Sequence, residues 1–389
     1  MTTTERAGRP RIVIIGAGAT GRGQIGQLAH DAGFAITFIE RRKDLVEWLK
    51  RSGRYKVILA EETTREIEVS GFEVLHVDEV EACAQAIAEA DIVATAVLPT
   101  NLEATTPTLA AGLALRRRRQ ITKPLNIIAC ENMERSSSTL RACLRCAAPD
   151  LDWAWLDSRV GFPDAMVARA VPEPKDPLIL LAESQQEWTI DARQVKAPMP
   201  PIAGMTLSEN QEAALERKLY IKNTGHFAAG ILGYLKGHSL IHEAASDPEI
   251  FQRVDAATRE SAAAVAAKHA FSPQAIEEYR AAFLEQMKSP FLPDDVKRVI
   301  REPIRKLGRE ERLIGPAMLA CEYTRPPEAL SHVIAAAFTV VNHEDAEWRK
   351  LQSRLKSDGL EAVVEQVCGI PRGHILIELI SRAYRGICS

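Results

Sequence analysis

The stretch from Arg11 to Gly23 restricts this chain more than any other. Arg-Ile-Val-Ile-Ile at 11–15 is a short β-branched run, followed at once by Gly16-Ala-Gly18-Ala-Thr-Gly21-Arg22-Gly23 and then a helical pattern. Such a run suits a buried parallel strand, and a glycine turn into a helix start turns backbone N–H groups towards a pyrophosphate. In that reading Gly16 makes the tight turn, Gly18 lets the backbone approach the diphosphate, and Gly21 lets helix and strand close up, with Arg22 beside them. A second apolar run, Ala-Ile-Thr-Phe-Ile at 35–39, ends in Glu40, nineteen residues after Gly21, where a carboxylate grips a ribose 2′-hydroxyl. A carboxylate there repels a 2′-phosphate, so NAD is expected in preference to NADP. Arg41, Arg42 and Lys43 follow directly and can accept that phosphate if Glu40 turns away.

The alternation of strand and helix continues as a doubly wound sheet requires. Residues 43–50 are helical; 56–60, 66–69 and 72–77 read as strands of an antiparallel insertion; 79–90 is helical and 91–97 a buried strand. That strand ends at Val97, Leu98 and Pro99, and loops at the carboxyl edge of such a sheet line the ligand, which makes Val97 and Pro99 cofactor candidates. Residues 125–130 form the next strand, ending in Glu131-Asn132, and a strand-end asparagine can polarise a reacting oxygen or equally cap the helix starting near Ser136. Residues 177–191 read as a strand closing the sheet, and Pro198, Pro200 and Pro201 mark a boundary. The expected organisation is a dinucleotide-binding domain at 1–200 and a helical domain at 201–389.

Beyond Ser208 the apolar spacing is helical, with further helices expected at 248–269, 273–288, 309–322, 327–342, 344–367 and 373–386. The stretch Lys218-Leu-Tyr-Ile-Lys222-Asn223-Thr-Gly-His226 is the candidate for chemistry. On an α-helix Lys218, His226 and Asn223 fall at about 0°, 80° and 140°, so one face can present all three. A desolvated lysine can take a proton from an alcohol, an asparagine can steady the oxygen where charge develops, and a histidine can hold that oxygen or a neighbouring hydroxyl. Lys222 lies inside the same arc at about 40°, so spacing leaves it an equally good base, and an ordinary amphipathic helix accounts for the pattern too. Arg301, Arg305 and Lys306 concentrate charge that can clamp a phosphate or simply be a solvated helix face.

Composition narrows the field. A net charge of −3 offers no general attraction to nucleic acid or to an anionic membrane. The N-terminal ten residues have no apolar stretch for a secretory signal, no run is long enough to span a bilayer, and a cytoplasmic location is expected. Seven cysteines without a framework fit reduced thiols; Cys143 and Cys146 sit in a helical pattern with no further ligand pair, and the nine histidines show no metal spacing, so a metal-free mechanism is expected. The four arginines 116–119 are expected to cap a helix C-terminus in solvent.

Gly16–Gly23, Asn126–Asn132, Arg217-Lys-Leu, Asn223-Thr-Gly-His226 and Arg301-Glu-Pro-Ile-Arg-Lys-Leu307 together resemble the mannitol dehydrogenase family of polyol-specific long-chain dehydrogenases. The resemblance runs in order over nearly the whole chain. It implies an α/β Rossmann-type domain followed by an all-helical substrate domain, a site in the cleft without zinc, and a monomer or small homo-oligomer acting on a small molecule. It makes Lys218 the general base rather than Lys222, Asn223 and Asn132 the pair that stabilises the alkoxide, and His226 a substrate-positioning residue. The implied reaction is hydride transfer between NAD and a polyol. The 301–306 cluster points to a phosphorylated one, mannitol 1-phosphate giving fructose 6-phosphate. A free polyol, a sugar acid such as altronate, or a non-catalytic NADH or sugar-phosphate binder are the alternatives. Two positions depart from the family pattern: Ala168 stands before Arg169 where an acid is expected, and Leu98 where a glycine tends to precede Pro99.

Overall fold

The computed structural model describes residues 8–61, 64–291 and 293–389. The expectation for the extreme N-terminus falls largely on residues 1–7, outside this set. The chain divides into two compact units, Met1–Ala214 and Leu215–Ser389.

The strands of the first unit are β1 (Arg11–Ile15), β2 (Ala35–Glu40), β3 (Arg54–Ala60), β4 (Arg65–Ser70), β5 (Glu73–His76), β6 (Ile92–Thr95), β7 (Leu125–Ala129), β8 (Val160–Gly161), β9 (Ala165–Ala168), β10 (Ile179–Glu183), β11 (Glu187–Asp191) and β12 (Met205–Ser208). The main sheet runs β5-β2-β1-β6-β7-β8 and is parallel throughout. Its central strands are apolar on both faces because helices cover both: Ile12 and Ile14 of β1 join one core with Ile25, Phe38 and Leu49, while Val13 and Ile15 join the other with Ile87, Leu113 and Leu140.

Three strand expectations need correction. Of the three strands expected in the antiparallel insertion, β3 and β4 do pair antiparallel, but β5 runs parallel to β2 at the edge of the main sheet. The expected strand 177–191 is two strands, neither closing that sheet: β10 pairs with β3, and β11 lies between β9 and β12. The closing strand is the two-residue β8. The arginine run also divides. Arg116 turns inward, fully buried, donating to the carbonyls of Ala88 at 2.5 Å and Ala90 at 3.3 Å, and burial pushes its guanidinium down to about 10. Arg117 stays outside, paired with Asp152 at 2.8 Å and lying over Trp155.

The second unit is helical. Its longest helix, Pro248–His269, is capped by Asp247, whose side chain accepts from the N–H groups of Glu249 and Ile250. Glu260, on that helix, takes the first N–H groups of the helix Glu328–Thr339, from Ala329 at 3.0 Å and Leu330 at 2.9 Å. The core gathers Phe227, Leu330, Ile334, Phe338, Trp348 and Leu376. The helix expected at 344–367 is broken into Ala346–Asp358 and Leu360–Cys368 by Gly359 at φ +79°.

Candidate active site

In the first unit the glycine turn follows from steric necessity. Gly16 sits at φ +100°, and a Cβ there would lie 2.5 Å from the carbonyl oxygen of Ala96; a Cβ at Gly21 would lie 2.0 Å from that of Gly16. At Gly18 the space is open, the one heavy atom nearby being Arg42 Nη2 at 3.9 Å from a built Cβ. Two glycines are therefore demanded by the protein's own packing, and the third leaves open space beside the backbone, as close approach of a diphosphate requires. The helix opens with a π-helical segment, Gly21–Gly26.

Glu40 lies where expected, at the end of β2, but its carboxylate is already engaged. It accepts from the N–H of Ala17 at 2.9 Å and those of Arg41 and Arg42 at 3.0 Å, and the Arg42 side chain folds back on it at 3.3 Å. Those bonds, foremost from Arg42, hold its carboxyl below the usual range against the opposing effect of burial. Glu40 thus ties the glycine turn to the second strand.

Arg22 does not face a ligand site. It is 2% exposed, donating Nε to the carbonyl of Ala17 at 2.6 Å and Nη1 to that of Pro177, and stacking on Tyr55. Its part is to brace the turn from below.

At the carboxyl edge of β6 the N–H of Val97 donates to Glu131 at 3.0 Å, and Thr95 Oγ1 donates to the same carboxylate at 2.9 Å. Burial raises the Glu131 carboxyl above its ordinary value. Glu131 so fixes the loop that carries Pro99 at the start of a short 3₁₀ turn, Pro99–Asn101, and Leu98 projects from that loop at 67% exposure. Asn132 follows Glu131 directly at the end of β7, and the helix Ser136–Ala147 starts after Arg135, so Asn132 is not its cap residue. Ala168 is buried in β9, and Arg169 is spent on the carbonyls of Glu183 and Gly23 and on Gln27.

In the second unit the surprise is local geometry. Lys218–Asn223 is a π-helical segment between the α-helices Gln211–Arg217 and Thr224–Lys236. A π turn holds more residues than the roughly 3.6 of an α turn, so Asn223 falls nearer the side of Lys218 than the roughly 140° an α-helix gives. Lys218, Asn223 and His226 are all half-buried. Lys222 has its ammonium 5.0 Å from the centroid of the Tyr279 ring, which attracts a cation. Arg217 stacks on the same ring at 4.4 Å.

His226 meets a partner that the sequence reading missed. Its Nε2 is 3.0 Å from Asp294 Oδ2, and Arg298 closes on the same carboxylate with Nε at 2.7 Å and Nη2 at 2.5 Å. These bonds, from His226 and then Arg298, depress the Asp294 carboxyl strongly although it is buried. Glu131 was within reach of sequence reading, as the residue before Asn132 at a strand end. Asp294 was not, because nothing local links it to His226.

The expected phosphate clamp is not an open set of cations. Arg305 fills its fork with Glu302 at 2.6 Å and Glu311 at 2.6 Å. Lys306 is buried, donates to the carbonyl of Val299 at 2.9 Å and sits over Phe227; burial, with Arg312 and Arg305 near, pushes its ammonium down to about 7. Arg301 is exposed, its Nε donating to the carbonyl of Arg298 at 3.4 Å.

A parallel sheet with a glycine-turn cradle, together with a helical unit that presents lysine, asparagine and an aspartate-held histidine on one helix, defines a two-part dehydrogenase. Known proteins narrow the class. Residues 10–204 match the mannitol dehydrogenase Rossmann domain and residues 212–388 the mannitol dehydrogenase C-terminal domain, so the chain belongs to the mannitol dehydrogenase family. It is 38% identical to a mannitol-1-phosphate 5-dehydrogenase of Brevibacillus brevis, over 96% of this chain and 97% of the other. Among solved structures it is similar to mannitol 2-dehydrogenase of Pseudomonas fluorescens in ternary complex with NAD and D-mannitol, with TM-score 0.75 at 18% identity over 98% of this chain and 92% of that one. It is also similar to a substrate-free D-sorbitol dehydrogenase, with TM-score 0.80 at 17% identity over 98% and 93%. Both likenesses are of fold. The chain is an oxidoreductase, a polyol dehydrogenase. Among the described residues no helix is long and apolar enough to cross a membrane.

Proposed function

We propose that this polyol dehydrogenase interconverts a hexitol phosphate and its ketose phosphate, mannitol 1-phosphate and fructose 6-phosphate, with NAD. The observation that supports the chemistry is the π-helical segment Lys218–Asn223, whose wider turn brings Asn223 nearer the side of Lys218 than an α-helix would. In oxidation Lys218, as a neutral amine, takes the proton of the reacting hydroxyl, and in reduction it returns it. Asn223 and Asn132 donate amide N–H groups to the oxygen as it gains charge, and His226 holds the substrate. A bound nicotinamide supplies the hydride acceptor. Gly16, Gly18 and Gly21 form its diphosphate cradle, Val97 and Pro99 stand at the sheet edge, and Glu40 favours NAD over NADP because its charge, even with Arg42 against it, lies where a 2′-phosphate would enter. The likeness to the Brevibacillus brevis enzyme over nearly the full length supports the phosphorylated substrate.

One observation favours a second substrate class. Arg305 is neutralised by two glutamates and Lys306 faces inward, so a phosphate gains Arg301 readily but Arg305 only by displacing a carboxylate. That leaves the same chemistry on a free polyol or sugar acid as the alternative. Oxidation of NADH by fructose 6-phosphate, fructose and tagaturonate, compared as kcat/KM, decides between them. The proposal expects fructose 6-phosphate to lead by at least about tenfold, and a lead for either other ketose refutes it.

A further inference from the structure

The ring of His226 keeps about a third of its side-chain surface exposed (32%), while Asp294 against it is 11% exposed and Arg298 holds both oxygens of that carboxylate. An ionised carboxylate accepts hydrogen bonds and donates none, so the imidazole nitrogen facing it must carry the proton. Which nitrogen of a neutral imidazole is free to accept is set by the bond the other one makes. Arg298 matters to this arrangement because its two donors fix the plane of the carboxylate, leaving Oδ2 aimed at Nε2. Asp294 is further anchored through its backbone, whose carbonyl accepts from the N–H of Ile241 at 2.9 Å.

We propose that Asp294, gripped by Arg298, is a positioning residue that fixes His226 in the Nε2–H form. Nδ1 then meets the substrate as an acceptor for a hydroxyl and not as a donor to the alkoxide. This rests on the polyol reading above and assigns His226 a single one of its two possible parts. Stabilisation of the developing charge is left to the asparagines, and His226 selects for a carbon neighbour that bears an O–H group. A substrate lacking that hydroxyl leaves Nδ1 unsatisfied against it and is rejected.

Two readouts test it on the full chain. In the ligand-free protein with ¹⁵N-labelled histidine, His226, assigned by its loss in His226→Ala, is expected to show a slowly exchanging imidazole N–H on Nε2, and Asp294→Ala is expected to abolish it. A proton on Nδ1, or a resonance indifferent to Asp294→Ala, overturns the proposal. In turnover, Asp294→Ala is expected to raise the ketose KM by about tenfold or more, with kcat and NADH affinity within about twofold. The same change in a His226→Ala background is expected to add less than about twofold, because it acts only through the ring. Effects that multiply in the double variant overturn the proposal. Asp294→Asn, which keeps an acceptor oxygen, guards against a folding failure and is expected to recover most of the KM. If no ketose is reduced by the unaltered chain, the polyol-phosphate reading fails while the ligand-free resonance still decides the state of the ring.

Discussion

Two lysines four residues apart carry opposite expectations. Lys222 lies over the face of Tyr279, and Lys218 shares a π-helical segment with Asn223. Lys222→Ala should therefore leave kcat within a few-fold, while Asn223→Ala should lower it by about 10²–10³ by removing a donor to the alkoxide; steady-state kinetics on the two variants checks this. Lys306 carries a prediction about stability. Its folded value of about 7 lies below the ordinary 10.5, so between those pH values the unfolded chain binds a proton that the folded chain refuses. Stability gains from this group as pH rises from 7 towards 10.5, and the penalty is fully present below 7. Urea unfolding of Lys306→Met against the unaltered chain should show the rise with pH flattened in the variant. At this scale residue types were legible and their partners were not. Lys218, Asn223 and His226 could be read as a set from their spacing and the family resemblance. That Arg22 braces the turn, that Arg305 is already paired and that Asp294 holds His226 depends on side chains brought together from distant parts of the chain.

Elements were legible where one period dominated. The strand, glycine turn, helix and second strand at 11–40 stand as the residues foretell, because β-branched runs and obligatory glycines leave the backbone little choice. Misreadings came where pairing is decided by other strands: β5 has the composition of an insertion strand but pairs with β2, and β8 is too short to leave a pattern. Among the described residues the two π-helical segments had no sequence signal at all, and both fall on stretches singled out for function, Gly21–Gly26 and Lys218–Asn223. Gly21→Ala tests how tightly the first is built. With a Cβ only 2.0 Å from the carbonyl of Gly16, the turn and helix must part, at a cost of about 1–3 kcal/mol. Denaturant unfolding should register that loss, and NADH titration should show weakened binding.

For the whole molecule, the proposed mechanism gives cofactor binding and chemistry to different residues, so the two should fail separately. NADH at about a hundred times its Kd should stabilise the chain by about 2.7 kcal/mol, visible as a raised melting temperature. Gly21→Ala should lose most of that response, and Lys218→Ala should keep it. The central claim is that the amine of Lys218 moves the proton of the reacting hydroxyl, and the direct measurement is turnover of Lys218→Ala with fructose 6-phosphate and NADH beside its NADH dissociation constant. The account predicts kcat lower by about 10²–10⁴ with the dissociation constant within about threefold. A variant that turns over at close to the original rate while binding NADH as before contradicts it.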